Sequence, residues 1–61
     1  MTKTQRQEIT RAGYYCTMGQ ADIAARSLSA LIRCATSNKA AAEIRAEAER
    51  LGVAGHPEFI A

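Results

Sequence analysis

The sequence predicts an all-α fold, a small three-helix domain followed by a short C-terminal tail, and three observations predict it. Apolar residues recur at steps of three and four through most of the chain, the spacing that lines one face of a helix. Alanine supplies much of the hydrophobic fraction, which is 48% of the residues, and alanine favours helix strongly while burying little area. Glycines and short polar breaks divide the chain into segments of helical length. With 61 residues the chain makes one domain at most, spanning 1–61, and a chain this short buries only about 60% of the surface its unfolded form exposes. Its core is expected to be thin, and a small chain of this kind gains stability from a second subunit, a larger partner, a metal or disulfides.

The first helix is expected over about 5–18, with Thr2 or Thr4 available as its cap. Ile9, Ala12 and Tyr15 or Cys16 follow helical steps toward Gly19. The cluster Tyr14, Tyr15, Cys16 and Thr17 has strand character, but four residues with no partner strand elsewhere favour helix by length and context. Gly13 weakens the helix interior by up to about 1 kcal/mol relative to alanine, and a closely approaching neighbour helix would be one reason to keep a residue without a side chain there.

Gly19 reads as the stop of this helix, Gln20 and Ala21 as a bridge, and Asp22 as the cap of the next helix, over about 22–35. This second helix organises the chain, because Ala24, Leu28, Leu31 and Ala35 fall on one face. So short a bridge between two amphipathic segments forces an antiparallel hairpin. Thr36, Ser37 and Asn38 form a polar break in which Ser37 or Asn38 caps a third helix over about 39–51, its inward face being Ala41, Ile44, Ala48 and Leu51. Gly52 ends that helix, with Val53 folding back as in a Schellman cap. The tail, 52–61, holds Gly55 and the only proline, so it is not helical throughout. Phe59 and Ile60 are expected to pack on the helices or on a partner.

The spacing Tyr15, Gly19, Ala24, Leu28 and Leu31 resembles the helix-turn-helix of a tetratricopeptide repeat, over about half of the chain from Gln5 to Asn38. In that family the tyrosine and glycine mark the end of the first helix, and the small alanine lets the second pack closely. The resemblance implies an antiparallel hairpin and a protein-binding role. This chain has a single unit where the family stacks at least three, and it lacks the tryptophan and Leu-Gly of the first helix and the closing proline. The Tyr-rich first helix, the Ala-Ala pair and Arg45-Ala46 in a third helix look like the small ANR regulators of enteric bacteria and their mobile elements, which bind AraC-type activators or nucleoid proteins. That resemblance implies a partner in transcription or host-defence machinery of a bacterium or phage and transfers no site residues, since the family's tryptophans and later cysteine are absent.

Charge is uneven along the chain. Residues 1–39 carry Lys3, Arg6, Arg11, Arg26, Arg33 and Lys39 against Glu8 and Asp22, whereas residues 40–61 carry Arg45 and Arg50 against Glu43, Glu47, Glu49 and Glu58. The hairpin is therefore basic and the third helix acidic, within a net charge of +2. That total is far from a strong polyanion-binding signature.

No catalytic, metal-binding or cofactor signature is present. Cys16 and Cys34 lack CxxC or Cys/His spacing, and in an antiparallel hairpin they lie on the order of 15 Å apart, beyond disulfide reach. Both are expected as buried free thiols in a reducing cytoplasm. His56 stands beside Pro57 without a carboxylate or cysteine set, and Ser27, Ser29 and Ser37 lack a nucleophile elbow and read as helix-surface and cap residues. The segment from Met1 to Thr10 is polar, with no signal peptide, and no apolar run approaches membrane-spanning length. The sequence thus predicts a cytoplasmic, non-enzymatic regulator, an adaptor or inhibitor that docks a helical face onto a larger protein or onto its own copy, with no cofactor and no membrane. Candidate contact residues are Arg11, Tyr14, Arg26, Arg33, Phe59 and Ile60. The alternative is a nucleic-acid-binding helical dimer that places Arg6, Arg11, Arg26 and Arg33 along phosphates.

Overall fold

The computed structural model of the chain describes residues 1–60. Three helices follow one another, α1 over Lys3–Thr17, α2 over Ala21–Cys34 and α3 over Asn38–Leu51, and no strand occurs among the described residues. This is a small all-α three-helix fold.

Each boundary has a local cause. Helix α1 begins two residues earlier than its apolar pattern does, because Thr2 and Gln5 form a reciprocal capping box. The Gln5 amide donates to Thr2 Oγ1 at 3.1 Å and the Thr2 amide donates to Gln5 Oε1 at 2.8 Å, so two amides left without helical partners are satisfied by side chains. Helix α1 ends at Gly19, whose φ of +78° lies in the left-handed region. The Gly19 amide donates to Cys16 O at 3.1 Å and the Gln20 amide to Tyr15 O at 2.7 Å, the paired bonds of a Schellman turn. The same device ends α3, where Gly52 has φ +79° and the Gly52 and Val53 amides donate to Glu49 O and Ala48 O, each at 3.0 Å. Ser37 caps α3, its hydroxyl accepting from the Ala40 amide at 3.1 Å.

The cap expected at Asp22 is not there. The residue preceding α2 is Gln20, which makes no side-chain cap bond, and Asp22 lies inside the first turn. From that position its carboxylate faces the positive end of the helix dipole and reaches Arg26 one turn on, at 3.5 Å, so it stabilises the helix start by charge rather than by capping.

Helix α2 occupies the middle. It packs along both α1 and α3, which meet each other least. Two consecutive antiparallel hairpins leave α1 and α3 running in the same direction, and the Met1 ammonium lies 3.8 Å from Glu43 Oε1, so the starting ends of α1 and α3 adjoin. The buried core takes Ile9 and Ala12 from α1, Ala24, Ala25 and Leu28 from α2, Ile44 and Ala48 from α3, and Val53 beyond it. Tyr15, Cys16, Leu31, Ala35 and Leu51 are only half-buried around it. Half of the core positions are alanine, so helix axes come close while little area is buried.

Three expectations are overturned. Ser29 is a core residue, 1% exposed, rather than a surface serine, because the tail lies over it. Its hydroxyl donates to Ala25 O at 2.8 Å and accepts the Ile60 amide at 3.0 Å, so the buried oxygen is satisfied on both counts. Cys34 is exposed and Cys16 half-buried, so the thiols are free without being core: Leu31 and Ile32 of the same turn face the core instead of Cys34. Gly13 is not there to admit a close neighbour, since a Cβ at that position would meet Leu51 Cδ2 at 3.8 Å, an ordinary van der Waals distance.

Candidate functional site

The candidate contact residues fall into two separate regions. The first lies between α1 and α3. Because these helices barely touch, a groove of about 410 Å³ remains open between them, lined by Ile9, Thr10, Gly13, Tyr14 and Thr17 of α1 and by Arg50 and Leu51 of α3. A narrower recess continues it toward the start of α1, past Arg6, Thr10 and Glu47 to Met1.

The chemistry of this groove is less polar than its composition suggests. Thr10 Oγ1 donates to Arg6 O at 3.1 Å and Thr17 Oγ1 donates to Gly13 O at 3.0 Å. With both hydroxyls turned back onto carbonyls of their own helix, their demand for water is reduced and the groove wall gains apolar character. Arg50 is held by Glu47, its Nε donating at 2.8 Å and its Nη2 at 2.6 Å to the same oxygen, so its charge is neutralised in place. Tyr14 stands in the wall of the groove with 67% of its surface exposed, and Met18, one turn on, is 66% exposed. An aromatic ring largely uncovered by its own chain, beside an unfilled groove of mixed polar and apolar lining, is an arrangement suited to receiving another surface.

The second region is the tail face of α2. Arg26, Ser29, Arg33, Glu58 and Ile60 line a shallower recess of about 230 Å³. Successive turns shape the tail, with the His56 amide donating to Val53 O at 3.0 Å and the Phe59 amide to His56 O at 2.9 Å. The His56 ring takes part through Nδ1, which accepts the Glu58 amide at 3.0 Å. Phe59 packs on the core, half-buried, whereas Ile60 is 71% exposed. One of these two candidates is thus used by the fold and the other is presented outward.

The basic candidates also separate. Arg11 lies 3.5 Å from Glu8, and Arg26 lies 3.5 Å from Asp22 and 3.7 Å from Glu58. Arg33 forms no ion pair among the described residues. Arg26, Arg33 and Ile60 therefore share one recess, Tyr14 belongs to the α1–α3 groove, and Arg11 lines neither.

Sequence reasoning missed the groove residues Thr10, Gly13, Thr17 and Leu51 as a surface. The available signal was the recurrence of small residues at Thr10, Gly13 and Thr17, a stripe offset from the core stripe Ile9 and Ala12. Among the described residues no three His, Cys, Asp or Glu side chains gather as metal ligands would, and no helix is long and apolar enough to cross a membrane. Compared with known proteins, the chain matches no family model, no curated protein and no solved structure.

Proposed function

We propose that the protein is a small non-enzymatic regulator, an adaptor or inhibitor working in the cytoplasm, that receives a helix of a larger protein in the groove between α1 and α3. The observation that carries this reading is the exposed Tyr14 ring standing in the wall of a groove that the protein's own chain leaves open. Two helices running in one direction with a gap between them accept a third that runs antiparallel to both, completing a four-helix arrangement around the existing core. The likeness of the α1–α2 hairpin to a tetratricopeptide unit supports the same role, since hairpins of that kind present helical surfaces to other proteins.

The test is affinity capture from the native host with the unmodified chain and with Tyr14→Asp, the retained proteins being identified by mass spectrometry. The substitution adds a charge at the centre of the groove and touches no buried residue, so the variant keeps its melting behaviour. A central aromatic anchor contributes about 2 kcal/mol or more to such an interface, so a bound protein should weaken at least about 30-fold and drop out of the capture. A partner held equally by both chains would place docking on another surface.

A further inference from the structure

We infer that the end of the bundle carrying Lys3, Arg6, Arg33 and Lys39 is a contact surface for the phosphate backbone of duplex nucleic acid. The argument begins with where the charges lie. Lys3 and Arg6 stand in the first turn of α1, Arg33 in the last turn of α2 and Lys39 in the first turn of α3. The antiparallel hairpins bring those three helix ends together, and the Met1–Glu43 contact of 3.8 Å fixes the starts of α1 and α3 side by side. All four side chains belong to exposed residues, and none of them forms an ion pair among the described residues.

The other cations of the hairpin are spoken for. Arg11 faces Glu8 and Arg26 faces Asp22 and Glu58. Toward the opposite end stand Asp22 in the first turn of α2 and Glu49 in the last turn of α3, while Glu47, in the recess beside Arg6, is tied to Arg50. A modest net charge of +2 is therefore distributed as a basic end and an acidic end, and the local field at the basic end exceeds what the total suggests.

The same end also lacks what a protein interface needs. Protein–protein contacts are anchored by buried apolar or aromatic side chains; of the exposed ones here, Tyr14 and Met18 lie elsewhere, and Ile60 borders Arg33 alone, across the tail-face recess. Around the four cations the exposed residues include Thr4, Thr36 and Asn38, side chains that hydrogen-bond phosphate oxygens. Cations ringed by short hydroxyl and amide groups fit a phosphate backbone, which is bound through charge and hydrogen bonds without apolar burial.

The test is fluorescence anisotropy with a labelled duplex of about 20 base pairs. Four phosphate contacts give a loss of about 150-fold in affinity between 50 and 200 mM salt. The double variant Arg33→Gln, Lys39→Gln removes two contacts and should bind more weakly, with the salt-dependent loss reduced to about 12-fold. The double variant Arg11→Gln, Arg26→Gln lowers the net charge equally and should retain both the affinity and the salt dependence. All four positions are exposed, and the helix content of each variant, read by circular dichroism, confirms that the fold is intact. An equal loss in both double variants would assign binding to net charge alone and overturn the inference. So would the absence of binding at 50 mM salt, or displacement of the duplex by polyglutamate at equal charge concentration, which would assign the surface to acidic proteins.

Discussion

On the side of α2 crossed by the tail, a buried serine hydroxyl joins helix to tail, Phe59 packs on the core, and the charges of Arg26, Asp22 and Glu58 meet. Between α1 and α3, in contrast, nothing from the chain enters the gap, and Tyr14 and Met18 stand in the open. The two sides use residues of similar kind: each has small side chains, a serine or threonine bonded back to its own helix, and a large apolar side chain. What differs is a covering segment. The difference is that α2 with its tail covers the core on one side, while the α1–α3 side is left uncovered.

The largest effect should come from the side that holds the fold together. Leu28 is fully buried in α2, and Leu28→Ala should cost about 2–5 kcal/mol, against a total stability of only about 3–9 kcal/mol for a chain of this length. Leu31, half-buried one turn on, should cost clearly less when cut to alanine. Urea denaturation of the two variants checks the order, and equal costs would break the assignment of the core face of α2.

A smaller effect is expected at the join between helix and tail. Ser29→Ala removes the acceptor of the Ile60 amide and should cost about 1 kcal/mol. Hydrogen exchange at the Ile60 amide should accelerate while the amides of α1 keep their protection. Uniform acceleration across the chain would mean that the tail is not a separately released segment.

The smallest effect belongs to the open side and has the opposite sign. Gly13→Ala places a methyl group at 3.8 Å from Leu51 Cδ2 and removes the conformational freedom of a helical glycine, so it should stabilise by about 0.5–1 kcal/mol in thermal or urea melts. A loss of stability would mean that α3 approaches α1 closely at this point.

Much of the fold was legible because its signals are local. The helix stop at Gly19, the cap at Ser37 and the return of Val53 after Gly52 each depend on residues within one turn, and the structure has all three. The core stripes were legible at Ile9, Ala12, Ala24, Leu28, Ile44 and Ala48, where helical spacing alone selects the inward face. Ser29 was not, because its burial depends on a tail that returns from 31 residues away, and no periodicity within α2 encodes that. Asp22 misled because a good capping side chain and a good first-turn carboxylate are the same residue type, and only backbone geometry separates them. For the candidate surface, charges could be counted but not paired: the ion pairs of Arg11 and Arg26 and the isolation of Arg33 emerge only once the helices are placed. Tyr14 was singled out as a candidate contact residue, and it is exposed, but the groove beside it depends on how far apart α1 and α3 settle.

The paired Schellman turns at Gly19 and Gly52 bear on how the chain reaches this state. Each helix end is specified by bonds spanning at most six residues, so the hairpin corner and the return into the tail form without waiting for distant segments to meet. A helical chain whose contacts are mostly between sequence neighbours has a low contact order, and it folds in about microseconds to milliseconds. A newly made chain therefore exposes the apolar residues of its thin core only briefly, before the helices close over them.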